Sequence, residues 1–525
     1  MKKILLRAFV LGILAVLAVP VLVQARVHRI GDMGFHGGIS EMRHLPRTLE
    51  TILLQNANNN RNTRNNRNNA VQMAYSEYVF IGGRPVLFEG IKELRTPFLN
   101  PGTAAPSDDS GTFRVEHRVF PGVATGDASI SRQMIYDVQF AMHGTQTVYS
   151  MIVDNLNWFE EIETPAGTFV LDPTRSHFNV SIWEDRTPAI SFYRGDISAR
   201  SVYTGPNGTT IVEKTGEIIG FSTAWSAVET VVLNVSIVND EWAMQYQIRP
   251  SVTVNKDLQF VQNTPFVISF EGNYRELHQS FAGLRYDIFV MPHFMWDEPL
   301  SGSHSMETFN VFEQLPAPDL SFMRGHPAED DIHRLFAMQI LQGNPQFFVP
   351  NQAITRGQFL TALARAIKLP VEEVVLPRAV RGQPPVPLML FSDVTTDRPE
   401  FRYIQAIQRA GIAFGRTDGK FYFDYPISRQ EAIAVIIRAL GLSNLAVDPA
   451  VVSPFVDSDE LSDWAVRHVN VALLLGLIAP DADGYLHPHR AISNAEAAAM
   501  LNRLLEYMRW GIVSHYSEQI VNIVQ

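Results

Sequence analysis

Three short segments in the last third of the chain repeat one pattern. They read Ile-Thr-Arg-Gly-Gln from Ile354, Ile-Ser-Arg-Gln-Glu from Ile427 and Ile-Ser-Asn-Ala-Glu from Ile492. Each segment follows a turn and precedes an amphipathic apolar run, which is the periodicity of a helix. A repeat at this scale constrains the architecture more than any other sequence feature. The last third is therefore predicted to be a helical repeat region.

The repeated segments also predict where the helices begin. Thr355, Ser428 and Ser493 each stand three residues before Gln or Glu, which is the spacing of a capping box. Arg356 and Arg429 then occupy the first helical position, where the helix dipole makes a cation mildly unfavourable. Two interpretations stay open. The arginines bind a carboxylate or phosphate together with the helix N-terminus, or they pair with nearby acidic side chains.

Composition limits the remaining possibilities. The chain has 525 residues, 46% of them hydrophobic, so two or three domains with sizeable cores are expected. The net charge of -11 argues against nucleic acid as a partner, because binding to it needs clustered Lys and Arg. The chain contains no cysteine, which excludes thiol nucleophiles and cysteine metal sites. No cofactor and no metal are expected.

The N-terminus has the pattern of an export signal. Lys2, Lys3 and Arg7 precede an apolar run over residues 8–23, and Val-Gln-Ala offers a cleavage site after Ala25. An uncleaved membrane anchor is the alternative, but the run is shorter than the ~20 residues that span a bilayer comfortably. Residues 1–25 are therefore predicted to be a signal peptide, with no transmembrane segment after cleavage.

The middle of the chain is predicted to be β-rich. Residues 26–74 form an N-terminal segment that ends in an Asn/Arg-rich linker, since Asn-rich composition cannot bury a core. From residue 75 to 300, short β-rich runs alternate with turns, including a hairpin around Gly82-Gly83 and a run at 266–270. Residues 301–327 contain several prolines and are predicted to be a linker. The fold class is thus an antiparallel all-β sandwich or barrel followed by an all-α domain.

Catalytic chemistry in the β-rich region is not predicted. It contains no nucleophile, metal or nucleotide motif, and no family resemblance is found for it. Glu160 and Glu161 are adjacent carboxylates, a residue type that glycosidases use in pairs. Adjacent residues on a strand point to opposite faces, so both are predicted to be solvated charges rather than a catalytic pair.

The run from about residue 328 to 508 resembles three tandem S-layer homology (SLH) motifs, which attach bacterial surface proteins to cell-wall polysaccharide. The second and third copies open with Phe-Ser-Asp at Phe391 and Phe-Val-Asp at Phe455, and each later contains an Asp-Gly turn. The motifs are predicted to span 328–376, 388–445 and 452–510, followed by a tail at 511–525. The resemblance implies three helical motifs around a pseudo-threefold axis, with ligand grooves between neighbours.

The resemblance also implies a ligand and its contacts. The ligand is an anionic secondary cell-wall polysaccharide, often bearing pyruvate ketals, whose carboxylate is held partly by the arginine of the repeated segment. Asn494 departs from this pattern, so the third groove is expected to bind more weakly or not at all. The implied ligand-binding residues are Arg356, Arg429, Thr355, Ser428, Gly343, Gly411, Gly415 and Trp464.

The sequence thus predicts an exported, non-catalytic protein of the cell wall and cell surface. Its repeats hold it to wall polysaccharide, and its β-rich region performs structural or binding work, with self-assembly or other surface proteins left open as partners. The alternative is a wall-anchored polysaccharide-active enzyme with catalysis in the β-rich region.

Overall fold

The computed structural model describes residues 35–40, 70–95, 110–121, 127–261, 273–295, 299–307, 311–371, 389–443, 445 and 454–519. The predicted signal peptide, the Asn/Arg-rich linker and the strand predicted at 266–270 lie outside these ranges. Within them, no helix combines the length and the apolar character needed to cross a membrane.

The first part of the described chain is a large antiparallel sheet. Its strands are β1 Ile39–Ser40, β2 Ala70–Val79, β3 Val86–Arg95, β4 Ser110–Pro121, β5 Ser129–His143, β6 Gln146–Thr164, β7 Gly167–Leu171, β8 His177–Arg186, β9 Ser191–Gly205, β10 Gly208–Ser222, β11 Ser226–Val238, β12 Ala243–Val261, β13 Asn273–Val290, β14 Ser301–Glu307 and β15 Val311–Gln314. One hydrogen-bonded sheet contains all of these strands. The predicted antiparallel β-rich region is therefore confirmed.

The sheet follows chain order almost throughout, as hairpin follows hairpin. One exception is at β6 and β9, two long strands that share both β7 and β8 as neighbours. The other is β15, which pairs with β13 rather than with β14. The predicted turn at Gly82-Gly83 joins β2 to β3, and the amide of Gly83 donates to the carbonyl of Phe80 (2.8 Å). The positive φ of Gly83 (82°) explains why glycine stands there.

The inner face of the sheet encloses one apolar core. Phe80, which follows β2, stacks on Tyr246 of β12 with ring centroids 3.9 Å apart. Tyr78 of β2 likewise meets Tyr286 of β13 at 4.8 Å. Because these strands are far apart in the order of the sheet, the sheet must be rolled so that its first strands approach its last. Outward positions alternate with buried ones, as a sheet with one solvated face requires.

Charged side chains are buried inside this core. Arg132 of β5 donates from Nη1 to Glu77 of β2 (2.8 Å) and from Nη2 to Glu160 of β6 (2.6 Å). All three side chains are at most 7% exposed. The prediction that Glu160 is a solvated charge is therefore wrong, although Glu161 does point to the opposite, more exposed face.

The segment predicted to be a linker contains two strands of the sheet. Residues 301–327 contain β14 and β15, which both pair with β13. The sequence of β14 is Ser-Gly-Ser-His-Ser-Met-Glu and lacks a run of apolar residues. It is held by backbone hydrogen bonds along one side of β13, and such pairing leaves little trace in composition.

The last third is helical, as predicted, apart from the short pair of strands β16 Met389–Phe391 and β17 Val394–Thr395. The α-helices are α1 Glu329–Ala337, α2 Arg356–Ala366, α3 Phe401–Arg409, α4 Arg429–Leu440, α5 Asp463–Leu474, α6 Asn494–Glu506 and α7 Ile512–Gln519. A π-helical turn, Tyr507–Gly511, joins α6 to α7. The apolar faces of these helices form a second core.

The sheet docks onto the C-terminal ends of α2, α4 and α6. The indole nitrogen of Trp225, at the β10–β11 turn, donates to the carbonyl of Ala366 at the end of α2 (2.8 Å). The amide of Ala189 donates to Ala439 in the last turn of α4 (2.9 Å). The hydroxyl of Ser226 donates to Met508, just after α6 (2.6 Å). Carbonyls that a helix end leaves without partners are thus satisfied by the sheet.

Candidate ligand site at the junctions between repeats

The three repeated segments meet in a closed ring of backbone hydrogen bonds. The amide of Ile354 donates to Ile492 (3.1 Å), that of Ile492 to Ile427 (3.2 Å), and that of Ile427 to Ile354 (3.2 Å). All three isoleucines are buried. The ring places the starts of α2, α4 and α6 side by side. We call the contacts between repeats 1 and 2, 2 and 3, and 3 and 1 the first, second and third junctions.

Each of the three helices begins with a complete capping box. Thr355, Ser428 and Ser493 accept from the backbone amide three residues on, and the Gln or Glu at that position accepts from the cap amide in return. The helix starts predicted from the sequence are therefore present. Thr355 and Ser428 use their hydroxyl oxygens for this purpose, so their predicted contact with a ligand has to share that oxygen.

The next amides of each helix are occupied by the neighbouring repeat. At the first junction, Arg356 donates its amide to Tyr425 (2.8 Å) and Gly357 donates to Phe423 (2.9 Å). The amides of Arg429 and Gln430 make the same contacts at the second junction, and those of Asn494 and Ala495 at the third. The helix N-termini therefore bind loop carbonyls, and an anion at these sites would depend on side chains instead.

The side chain of Arg356 crosses the first junction. Its Nη1 lies 3.5 Å from Oε1 of Glu431, and its Nη2 donates to the carbonyl of Phe414 (3.3 Å). The guanidinium also stands over the ring of Phe421, 5.2 Å from its centroid. Burial lowers the pKa of Arg356, and the Glu431 carboxylate opposes this effect. The arginine is thus paired within the protein, while 16% of its side chain stays exposed.

Arg429 makes the corresponding contacts at the second junction. Its Nη2 donates to Oε1 of Glu496 (3.0 Å) and its Nη1 to the carbonyl of Leu486 (3.0 Å). Arg490 also pairs with Glu496, so two cations share that carboxylate. Glu431 and Glu496 are the capping-box carboxylates of the following repeat. The same acidic residue therefore caps its own helix and neutralises the arginine of the previous repeat.

The third junction lacks both the arginine and its acidic partner. Asn494 occupies the position of the arginines and donates from Nδ2 to the carbonyl of Val349 (2.9 Å). The capping-box residue of the next repeat around the ring is Gln358, which is uncharged. The loss of the arginine at this junction is matched by the loss of its acidic partner.

The predicted glycines occupy two kinds of position. Gly343 and Gly411 have positive φ (100° and 69°), and a Cβ on either would have no neighbour closer than 3.9 Å. These two glycines are explained by backbone conformation. Gly415 is different, because a Cβ there would collide with the ring of Phe391. It directly follows Phe414, whose carbonyl binds Arg356, so Gly415 and Arg356 lie at the same junction.

Among the described residues, the contacts of Trp464 do not include either of the two arginines. It stands in the first turn of α5 with 45% of its surface exposed, and its carbonyl lies 2.9 Å from Nδ1 of His468. No hydrogen bond, ion pair or ring contact in the described part of the chain joins Trp464 or Gly343 to Arg356 or Arg429. The structure thus brings together only part of the predicted set.

Two acidic residues that the site prediction omitted hold the junction loops. Asp393 accepts from the amides of Phe421 (2.8 Å) and Phe423 (3.0 Å). Asp457 accepts in the same way from Leu486 (2.9 Å) and His487 (2.7 Å). Burial acts to raise the pKa of Asp457, but these amides outweigh it and lower the pKa. The Phe-x-Asp opener was visible in the sequence as the signal for this role.

Each of these loops carries one aromatic residue in the left-handed region. Tyr422 (φ 62°) and His487 (φ 57°) occupy equivalent positions, and their side chains hydrogen-bond to Asp418 and Asp481. A side chain at positive φ costs roughly 1–3 kcal/mol and persists only where the surroundings impose it. The Asp-Gly turns therefore fix these rings at the edges of the first two junctions. Asp481 also accepts from two amides of its own turn, as a structural residue would.

One cluster has the donor types of a metal site. Ligand atoms of Glu276, His278 and Glu313 lie within 4.8 Å of one another. The ammonium groups of Lys256 and Lys368 each lie 3.8 Å from Glu276, and Nε2 of His278 lies 3.0 Å from it. The two ammonium groups already balance the Glu276 carboxylate, so the cluster is an ion-pair network between the sheet and the end of α2.

Comparison with known proteins identifies the repeats. The S-layer homology domain matches residues 323–360, 390–433 and 454–498. An endoglucanase of Bacillus sp. (strain KSM-635) is 28% identical over 188 residues, covering 35% of this chain and 18% of that protein. An S-layer protein of Bacillus licheniformis is 27% identical over 178 residues, with 34% and 18% covered. The S-layer protein EA1 of Bacillus anthracis is 26% identical over 178 residues, with 34% and 19% covered.

The C-terminal region therefore contains three segments that match the S-layer homology domain, in agreement with the resemblance found in the sequence. The domains and the S-layer relatives indicate an extracellular protein associated with the cell wall and cell surface. The match spans less than a fifth of the length of each of these three relatives.

Proposed function

We propose that this chain is held non-covalently to an anionic secondary cell-wall polysaccharide through the first and second junctions, and that it presents its sheet for structural or binding work. The observation that carries this proposal is the pair of partly exposed guanidiniums, Arg356 and Arg429, at equivalent positions of two adjacent junctions. A ligand carboxylate, such as that of a pyruvate ketal, would compete with the internal carboxylate for each arginine.

The two arginines are proposed to contribute unequally. Arg356 lies 3.5 Å from Glu431, which is beyond a strong charge-assisted hydrogen bond, whereas Arg429 lies 3.0 Å from Glu496. A ligand therefore displaces a weaker contact at the first junction. At the second junction, Arg490 also binds Glu496, and it keeps that carboxylate partnered when Arg429 turns to a ligand. The neutral third junction is proposed not to bind the polymer.

A pseudo-threefold arrangement of the repeats is part of the same proposal. It is supported by the closed ring of Ile354, Ile427 and Ile492 and by the matching amide contacts at the three junctions. The clearest departure from this symmetry is at the third junction, where Asn494 and Gln358 replace the arginine and its acidic partner. One backbone frame thus carries two charged sites and one uncharged site.

The test is co-sedimentation of the full chain with purified cell walls. We expect Arg356→Ala to lower the affinity about tenfold, because a hydrogen bond to a charged group contributes roughly 1.5–3 kcal/mol. Arg429→Ala should weaken it less, and the double variant should bind least. Asn494→Ala, at the equivalent position of the third junction, is the matched control and should bind normally.

Circular dichroism of each variant shows whether it is folded, so that a loss of binding is not confused with unfolding. Walls stripped of their acidic polymer should fail to retain the unmodified chain. If the folded double variant binds as well as the parent chain, the arginines do not hold the polymer and the proposal is wrong.

The alternative function is a wall-anchored polysaccharide-active enzyme with catalysis in the sheet. It is supported by the endoglucanase relative, which shares about a third of this chain. The test is release of reducing ends from carboxymethylcellulose by the full chain. We expect none. Release of reducing ends would favour the enzyme instead.

A further inference from the structure

A shallow cavity of about 260 Å³ opens on the outer face of the sheet. It lies across β6, β8, β9 and β10, and neither Arg356 nor Arg429 lines it. Phe192 and Ile219 also pack against the core of the helical repeats. We call the cavity the Trp183 patch, and its side chains are Gln146, Trp183, Asp185, Phe192, Arg194 and Ile219. The proposed function assigns no role to any of them.

Strand register brings these side chains together. Trp183 lies between Val148 and Arg194, its direct partners on the neighbouring strands. One row further along, Asp185 lies between Gln146 and Phe192. Direct cross-strand partners have Cβ atoms about 4.5–5.5 Å apart and share one face of the sheet. An indole ring and three polar groups are therefore within reach of one small ligand.

The indole of Trp183 is exposed to solvent rather than packed in the core. It is 48% exposed on the outer face, while the inner face of the same strands forms the core. The adjacent residue, Glu184, fixes the strand from the inner side. It accepts from the hydroxyl of Tyr149 (3.0 Å) and from Nε of Arg186 (2.8 Å). The ring thus stands on a rigid support, which lowers the entropic cost of binding.

The charged groups at the patch leave it slightly negative. Arg194 donates from Nη2 to Glu217 on the next strand (3.0 Å), so its cation is paired. Asp185 is exposed and adds a carboxylate. The patch therefore offers no excess positive charge for an anionic polymer. Its planar polar groups are instead suited to hydroxyl groups, which both donate and accept hydrogen bonds.

We infer that the Trp183 patch binds a neutral sugar ring. One face of a pyranose consists of C–H groups and can lie on the indole, while hydroxyl groups at its edge reach Asp185, Gln146 and Arg194. The cavity is close to the smallest ligand pockets of roughly 300 Å³, which suits a single residue of an oligosaccharide. The sheet would then have a carbohydrate ligand of its own, chemically distinct from the acidic polymer proposed for the junctions.

The test is isothermal titration calorimetry on the full chain with four neutral probes, namely cellohexaose, xylohexaose, maltohexaose and chitohexaose. At least one should bind. Trp183→Ala should lower its affinity about tenfold or more, because it removes the ring on which the C–H face of the sugar lies. Trp183→Phe should keep part of the affinity, and Asp185→Asn should change the preference among the probes.

The matched control is Phe159→Ala, which removes another half-exposed aromatic residue of the sheet and should leave binding unchanged. The Trp183 side chain is exposed, so the variants are expected to fold, and circular dichroism verifies this. The inference is overturned if no probe binds at about 10 mM, or if Trp183→Ala binds as well as the parent chain. The double variant of Arg356 and Arg429 should retain sugar binding, which separates this result from the wall-anchoring test.

Discussion

The indole of Trp225 donates to the carbonyl of Ala366, and Nζ of Lys368 lies 4.2 Å from the centroid of the same indole. Trp225 is 1% exposed and belongs to the core of the helical repeats, although it comes from the turn between β10 and β11. The sheet therefore contributes residues to the second core, that of the repeats, and the two regions are not joined by a linker alone.

Trp225→Ala is expected to destabilise the chain by about 3–5 kcal/mol, because it removes a buried aromatic side chain and leaves a cavity. Denaturant unfolding followed by circular dichroism measures the change. Trp510→Ala is the control, since that indole is 51% exposed, and its effect should stay within about 0.5 kcal/mol. Equal effects of the two substitutions would contradict the shared core.

Arg132→Met is expected to cost about 3–5 kcal/mol, because it leaves Glu77 and Glu160 buried without their cation. Replacing both acids by Gln in the same chain should recover part of this loss. Arg114→Ala is the control, because that arginine is 69% exposed and its pair with Asp137 should contribute at most about 1 kcal/mol. A small effect of Arg132→Met would show that water or a counter-ion compensates the two carboxylates.

His117 is expected to make the fold sensitive to mild acid. Burial, together with Lys92 and Arg132, holds its pKa well below the ordinary value, and Nε2 has no hydrogen-bond partner among the described residues. Below about pH 6.5 the unfolded chain binds a proton that the folded chain does not. The free energy of unfolding should therefore fall as the pH drops from 7 to 5.

The variant that tests this is His117→Gln, which should reduce the pH slope by about one proton, or roughly 1.4 kcal/mol per pH unit. His36, stacked on His117 at 5.6 Å, has a pKa lowered in the same way and should sustain the remaining slope. An unchanged slope would mean that His117 takes up its proton in the folded state.

The substitution Glu276→Gln should destabilise the fold at neutral pH, and this destabilisation should disappear at low pH. Burial acts to raise the pKa of Glu276, but the hydrogen bond from His278 and the charges of Lys368 and Lys256 lower it to about 2. A folded pKa below the unfolded value stabilises the fold above about pH 4.5, and this stabilisation is lost as the pH falls toward 2. The lowering from 4.5 corresponds to roughly 3 kcal/mol at pH 7.

Denaturant unfolding of the parent chain and the variant at several pH values between 7 and 2 measures this difference. It should be largest near neutrality and shrink through the acid range. A difference that stays constant from pH 6 to pH 3 would show that the carboxylate does not titrate as described.

Local signals in the sequence predicted the helix starts and the repeats. A capping box involves residues three positions apart, so Thr355, Ser428 and Ser493 can be recognised without knowledge of the fold. The acidic partners of the arginines could not be found in this way. Glu496 is 67 residues from Arg429 in the chain, and the two meet only because the ring closes.

The buried charges were missed for a different reason. In β5, Arg132 occupies an inward position between Ile130 and Met134, so strict alternation placed a charge on the apolar face. The signal was present, but only the positions of Glu77 and Glu160 on other strands explain how the charge is tolerated. Pairing between distant strands depends on topology, which local patterns do not encode.

The attachment of the sheet to three helix ends has a mechanical consequence. Helices of 11 to 13 residues are roughly 17–20 Å long, and here they run from the isoleucine ring to the sheet. A force that pulls the sheet away from the ring acts on Ala366, Ala439 and Met508 at once, through Trp225, Ala189 and Ser226. These contacts share the load in parallel, so shear on a cell surface would have to break all three before the sheet came free.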